Sequence, residues 1–295
     1  MSVAMAILGT IGYFVLLSGQ TVSAVVFWRC AFGALTLLPI CAAMGLLRGR
    51  MSPRVLMLAV LGGLAIVTNW WLLFKAYAFA SISVATVVYN TQPFMLIAFG
   101  AFLFDERITP SRFGWLCLSF AGVVLILQAR PEAGYVSSNH LWGIWLALAA
   151  AFFWAIAAVI AKRLVGTPPQ LIALIQVTVG AVVLAPFTSF TALPSETQAW
   201  SALVLVGVVH TGLMYILMYS AVQRLPTIMQ GALSFIYPVA AMLVDRFALG
   251  HALQPIQIAG AAAILAGAAG VSLNLGVGSA GGRGLRRCRA RGGAT

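Results

Sequence analysis

Residues 83–110 read SVATVVYNTQPFMLIAFGAFLFDERITP, and residues 228–255 read IMQGALSFIYPVAAMLVDRFALGHALQP. Each stretch opens with about twenty mostly apolar residues, the length that crosses a hydrocarbon core. Each carries a proline at the same position, Pro93 and Pro238. Each then reaches a matching Phe, Phe102 and Phe247, and closes on Pro110 and Pro255. A proline inside a helix removes one hydrogen bond and frees the carbonyl four residues earlier, here that of Tyr89 and of Ser234. In lipid a freed carbonyl needs another partner or a polar cavity. A kink satisfied by a neighbouring Ser or Thr is the plainer alternative. Two copies of such a stretch predict a helix kink at mid-depth, twice, with a polar cavity beside it favoured by the polar company of both prolines.

Working outward, the same offset pairs Ala76 with Ala221 and Gly122 with Gly267. Upstream, Gly33 pairs with Gly180 and Pro39 with Pro186, at an offset two residues longer. The chain is therefore an internal repeat. Hydropathy places ten spans, at 3–19, 23–46, 55–74, 83–104, 111–128, 141–161, 170–190, 200–222, 228–249 and 256–275. Five spans per half is an odd number, so the second half lies upside down relative to the first. Inverted repeats are the architecture of secondary transporters, with the substrate site near the midplane between the halves. The expected organisation is a first five-helix repeat over 1–128, a linker over 129–140, a second repeat over 141–276, and a basic, disordered tail over 277–295.

Composition agrees. Of 295 residues, 62% are hydrophobic and 7% charged, with a mean hydropathy of +1.03. A soluble domain is about 25% charged, so this chain cannot cover a globule with polar surface. The fold class is an all-α integral membrane protein. The stretch Met1–Leu17 lacks a basic start and a small-residue cleavage site, and reads as a first span rather than a signal peptide. Cys30, Cys41 and Cys117 lie in apolar stretches and Cys288 in the tail, with no C-x-x-C. Buried thiols act as small hydrophobes, so neither a metal nor a disulfide is implied.

The net charge of +12 does not point to nucleic acid, because the basic residues are distributed by loop. One alternate set of loops and the tail holds Arg48, Arg50, Arg54, Arg107, Arg112, Lys162, Arg163, Arg224, Arg283, Arg286, Arg287, Arg289 and Arg291. The other set holds Lys75, Arg130 and Arg246. The positive-inside rule then puts both termini in the cytoplasm of a multi-pass plasma (inner) membrane protein.

The motif Ala76-Tyr77-Ala78-Phe79-Ala80, the helix with Pro93, and Asp105-Glu106-Arg107-Ile108-Thr109 together resemble the EamA-type repeat. So does Trp28-Arg29-Cys30-Ala31-Phe32. That repeat belongs to the drug/metabolite transporter superfamily, and the resemblance covers both halves. It implies ten helices in two inverted repeats and export of small metabolites by alternating access. Within the superfamily the chain looks most similar to the aromatic amino acid exporters. Where the first half carries Glu106, the second carries His251.

Candidate substrate-binding residues follow from depth and chemistry. Tyr89, Asn90 and Gln92 accompany Pro93, and Ser234 and Tyr237 accompany Pro238. Trp154 and Tyr215 lie at mid-depth, unlike Trp70, Trp71, Trp115, Trp142, Trp145 and Trp200, which fall near span ends as an interfacial belt does. Aromatic rings at depth suit stacking on an aromatic solute. Gln176 and Asn69 either bind a polar head group or hold helices together. His210 marks a pathway or an interhelical hydrogen bond, and is the one candidate proton carrier. Arg29, inside the second span, either snorkels to the headgroups or draws an anion inward; Gln176 is its counterpart in the repeat. Small residues Ala259, Ala263 and Gly267 in the tenth span suit close packing within the chain or a homodimer interface.

The five acids are Asp105, Glu106, Glu132, Glu196 and Asp245, and none falls at the predicted midplane. Carriers of cationic drugs, or carriers driven by a carboxylate-borne proton, place an acid there. Carriers of phosphates need Arg or Lys pairs. The expectation is facilitated export of a zwitterionic or neutral solute, an aromatic or other large neutral amino acid. A broader drug or metabolite exporter is the alternative. An intramembrane enzyme would need an acid pair, a nucleophile group or a metal cluster. No catalytic residue, metal or cofactor is assigned, and the loops are too short for a receptor.

Overall fold

The computed structural model describes residues 1–49, 51–77, 79–80, 82–128, 140–188, 190, 194–248, 250 and 253–275. The predicted linker over 129–139, His251 and the tail from residue 276 lie outside the described residues. Everything regular is helical: α1 (Ser2–Ser18), α2 (Val22–Ala43), α3 (Pro53–Tyr77), α4 (Ile82–Tyr89), α5 (Gln92–Phe104), α6 (Pro110–Gln128), α7 (His140–Arg163), α8 (Pro169–Leu184), α9 (Thr197–Gly207), α10 (Met214–Arg224), α11 (Thr227–Ser234), α12 (Ile236–Phe247) and α13 (Pro255–Ser272). Among the described residues, nine helical spans are long and apolar enough to cross a membrane, and Ser2–Ser18 is a shorter apolar helix.

The count of thirteen helices against ten spans has a physical cause. The fourth span is α4 plus α5, broken at Asn90 and Thr91, and the ninth is α11 plus α12, broken at Phe235. Each break sits just before its proline, because Pro93 and Pro238 cannot donate to the preceding turn. The eighth span is α9 and α10 joined by a π turn, Val208–Leu213. Nothing in the sequence predicted that turn.

The helix contacts obey a two-fold rule. Spans that correspond in the two halves touch across the axis: α2 with α8, α5 with α11, and α6 with α13. Several other cross-half contacts have a mirror image, while that of α6 with α11 and α12 does not. The packing of α3 on α7 is repeated by α1 on α9 and α10, and that of α5 on α7 by α1 on α12. The repeat glycines show the same rule. A Cβ on Gly33 would meet Thr211 of the eighth span at 2.8 Å, and one on Gly180 would meet Cys30 at 2.7 Å and Val67 of the third span at 3.2 Å.

At the α6–α13 crossing, a Cβ on Gly122 would lie 2.5 Å from the Gly260 carbonyl oxygen, and one on Gly260 would lie 2.6 Å from that of Gly122. The face of α13 that packs is therefore Gly260, Ile264, Gly267 and Gly270. Ala259, predicted on the packing stripe with Gly267, is exposed. The stripe follows a turn of the helix one residue away from the predicted one.

Candidate functional site

A cavity of about 310 Å³ lies between the halves. Its inner part is walled by Gln92 of α5, Trp154 of α7, Met218 of α10, Ser234 of α11 and Tyr237 of α12, with Tyr89 of α4. From there it runs past Arg29 of α2 and Trp70 of α3 to Val15, Val25, Leu73 and Phe74. These last residues stand near the helix ends that carry Gly19, Val22 and Lys75, so the cavity extends toward that end of the bundle. The opposite end carries Arg48, Arg54, Arg107, Arg112, Arg163 and Arg224.

Both helix breaks face the cavity, since Tyr89 and Ser234 end the half-helices that precede the prolines. Asn90 ties the breaks together. Its Nδ2 donates to the Thr86 carbonyl at 2.7 Å and to the Tyr237 hydroxyl at 2.9 Å. Of the predicted site residues, Tyr89, Gln92, Trp154, Ser234 and Tyr237 line the cavity. Gln92 is buried, and its Oε1 has no partner.

Five other candidate residues stand elsewhere. Asn90 is buried behind the break. Gln176 accepts a bond from the Tyr219 hydroxyl and packs against Gly62 and Gly63. His210 sits between the eighth span and α1, its Nε2 2.7 Å from Thr10 Oγ1 and its ring 5.4 Å from that of Phe14. Tyr215 backs onto Trp70, ring centroids 6.3 Å apart. Asn69 donates to the Ala150 carbonyl at 2.7 Å.

Trp70, read as interfacial, and Arg29, left between snorkelling and an inward position, both belong to the cavity. Arg29 is 5% exposed and Trp70 8%, and both line it. The guanidinium stacks on the indole, 4.2 Å from the ring centroid. Its Nε donates to Thr211 Oγ1 at 3.2 Å, and the Tyr215 hydroxyl lies beside it. Snorkelling fails because these partners hold the side chain inward. The π turn makes this anchor: Thr211 Oγ1 donates to the carbonyl five residues back, Val206, at 3.0 Å, and still presents its oxygen to Arg29. Among the described residues no carboxylate pairs with Arg29, and none lines the cavity.

The arginine-rich end is bolted. Glu106, just past α5, pairs with Lys162 at the end of α7. The same carboxylate accepts from the Thr227 backbone N–H at 2.7 Å and its Oγ1 at 2.6 Å, at the first turn of α11. Lys162 Nζ also donates to the Leu225 carbonyl at 3.2 Å. One first-half carboxylate thus holds two elements of the second half. Burial pushes the Glu106 carboxyl up, but its bonds with Lys162 and Thr227 outweigh this and hold it below the usual carboxylate range. The sequence held one clue, the Asp105-Glu106-Arg107 motif, and no sign of the partner.

The EamA-like transporter family matches residues 1–128 and 141–273. The chain is 28% identical over 274 residues to the uncharacterized transporter YxxF of Bacillus subtilis, covering 91% of this chain and 87% of that one. It is 26% identical over 201 residues to the aromatic amino acid exporter YddG of Ancylobacter novellus, covering 68% and 69%. It is 30% identical over 176 residues to the threonine/homoserine exporter RhtA of Escherichia coli, covering 59% and 58%. A crystal structure superposes with a TM-score of 0.79 at 24% identity, covering 92% of this chain and 94% of that one, a likeness of fold.

Proposed function

Because the chain belongs to the EamA-like transporter family, we propose that it exports aromatic or other large neutral amino acids through the cavity between its halves, by alternating access. It is a membrane transporter and not an enzyme. The observation that carries the substrate reading is the cavity wall. Trp70, Phe74, Tyr89, Trp154 and Tyr237 offer ring faces and edges, and such contacts add about 0.5–1.5 kcal/mol each beyond burial. At about 310 Å³ the cavity is at the small end of ligand pockets, suited to one single-ring or indole solute. Similarity to a threonine/homoserine exporter favours a second reading, small polar amino acids, which the aromatic wall argues against.

The mechanism follows from the two ends. With the termini and basic loops cytoplasmic, the described conformation opens outward and is shut on the cytoplasmic side by Glu106, Lys162 and Thr227. Loading requires the bolt to part and the outer helix ends near Val15, Val25 and Phe74 to close. The halves turn about the symmetric contacts of α2 with α8 and α6 with α13. No carboxylate among the described lining residues can carry a proton, so transport is facilitated, running down the substrate gradient.

The test is efflux from liposomes holding the purified protein, using labelled Trp, Phe, Thr and Ala, with and without a proton gradient. Trp and Phe should leave at least tenfold faster than Thr and Ala, and the proton gradient should change nothing. Preference for Thr would replace the aromatic reading, and accumulation against a gradient would sink facilitated transport.

A further inference from the structure

Arg29 is a buried cation with unfinished chemistry. A guanidinium has five N–H donors in a rigid fork. Its polar neighbours here are two neutral hydroxyls, Thr211 and Tyr215, and one of its faces rests on Trp70. Among the described residues no carboxylate answers its charge, although a buried charge left uncompensated is costly. Its small accessible area belongs to the cavity wall. The ion best matched to that fork is a carboxylate, which takes two parallel hydrogen bonds.

The far end of a bound amino acid is treated differently. An ammonium group would meet neutral residues only, among them Gln92, Ser234, Tyr89 and Tyr237. The described wall therefore has one positive charge and no negative one. Electrostatically it is complementary to a monoanion before a zwitterion.

We propose that Arg29 is the carboxylate receptor of this cavity, and that the cavity also carries aromatic monocarboxylates lacking an amino group, such as aryl 2-oxo acids and arylpropanoates. The inference rests on the reading of the cavity as the substrate site, and it deepens that reading. The carboxylate sits against the guanidinium beside Trp70. The ring lies toward Trp154 and Tyr237. The ammonium contributes little to recognition, so deleting it preserves binding, whereas deleting the carboxylate abolishes it.

The experiment uses the full chain in liposomes. Efflux of labelled Phe is competed with unlabelled Phe, phenylpyruvate, 3-phenylpropanoate, phenethylamine and phenylalanine amide. The two carboxylates should compete within about threefold of Phe, and the amine and amide at least tenfold more weakly. Arg29→Gln should abolish Phe efflux itself, since Phe carries the same carboxylate, and Arg29→Lys, which keeps the charge without the fork, should retain part of it. Competition by the amine in place of the carboxylates, or undiminished Phe efflux by Arg29→Gln, overturns the proposal. Should Phe itself not be exported, the amino-acid reading fails and the receptor is tested directly. Saturable quenching of tryptophan fluorescence by 3-phenylpropanoate in the wild type, lost in Arg29→Gln, upholds it, and no quenching in the wild type overturns it. If the Gln variant does not fold, the wild-type analogue series and Arg29→Lys decide.

Discussion

Arg29 shows what a residue's neighbours add to its chemistry. From its position alone it had two readings, a snorkelling side chain or an inward anion site. Thr211 and Trp70 hold it inward, and both are remote in sequence. Trp154 is the complementary case, since its depth alone made it a candidate and it lines the cavity. Trp154→Ala removes a ring worth about 1.4 kcal/mol of contact, a factor of ten in affinity. KM for Trp efflux should rise about tenfold while that for Ala moves less, and equal shifts for both would deny the stacking role. Glu106 yields a pH prediction. Its folded-state pKa is depressed, so the bolt is fully stabilising above the usual carboxylate pKa and is lost as pH falls through the lowered value. Glu106→Gln should therefore melt a few degrees below the wild type at pH 7, with the gap closing as the pH drops below about 4. A gap independent of pH would mean the carboxylate's charge is idle.

At the scale of elements, the broken spans carry the design. Pro93 and Pro238 were legible as kinks because proline removes a donor in any context, and the structure turns each into a break between two helices beside the cavity. The π turn at Val208–Leu213 was not legible, because it is held by packing, with Gly207 and Gly212 lying tight against Phe32 and Thr36 of α2. Restoring the missing donor by Pro238→Ala should raise the melting temperature and lower Trp efflux at least threefold. Unchanged efflux would show that the ninth span works without its break. The α6–α13 crossing sets the other limit. Gly122→Val would drive a side chain into the Gly260 backbone, where overpacking costs about 1–3 kcal/mol. Its loss of folded protein on gel filtration should exceed that of Gly12→Val, since a Cβ at Gly12 meets nothing within 4 Å.

Across the whole molecule, the two halves share a backbone plan and differ in chemistry. The first half supplies Arg29 and Glu106, and the second supplies Gln176 and His251 at the corresponding positions. One consequence is a directional machine. The arginine-rich end closes on an ion pair, and the other end has no described acid at the matching place. The orientation proposed from the loop charges predicts that a fluorescent protein fused after Thr295 glows in intact cells, while a periplasm-dependent phosphatase fused there stays inactive. The reverse pattern would turn the cavity to face the cytoplasm and invert the proposed direction of loading.

The membrane environment, the ten spans, the inversion of the halves and the position of both proline kinks could be read from the order of residues. Each of these depends on hydropathy, parity or proline, which are properties of a chain without partners. Tertiary structure alone decided that Arg29 faces inward, that Trp70 leaves the interfacial belt, that His210 and Gln176 bond between helices away from the cavity, and that Glu106 reaches Lys162 and Thr227. Those outcomes depend on which side chains meet across the axis, and pairing between residues far apart in the chain leaves no periodic trace in either one.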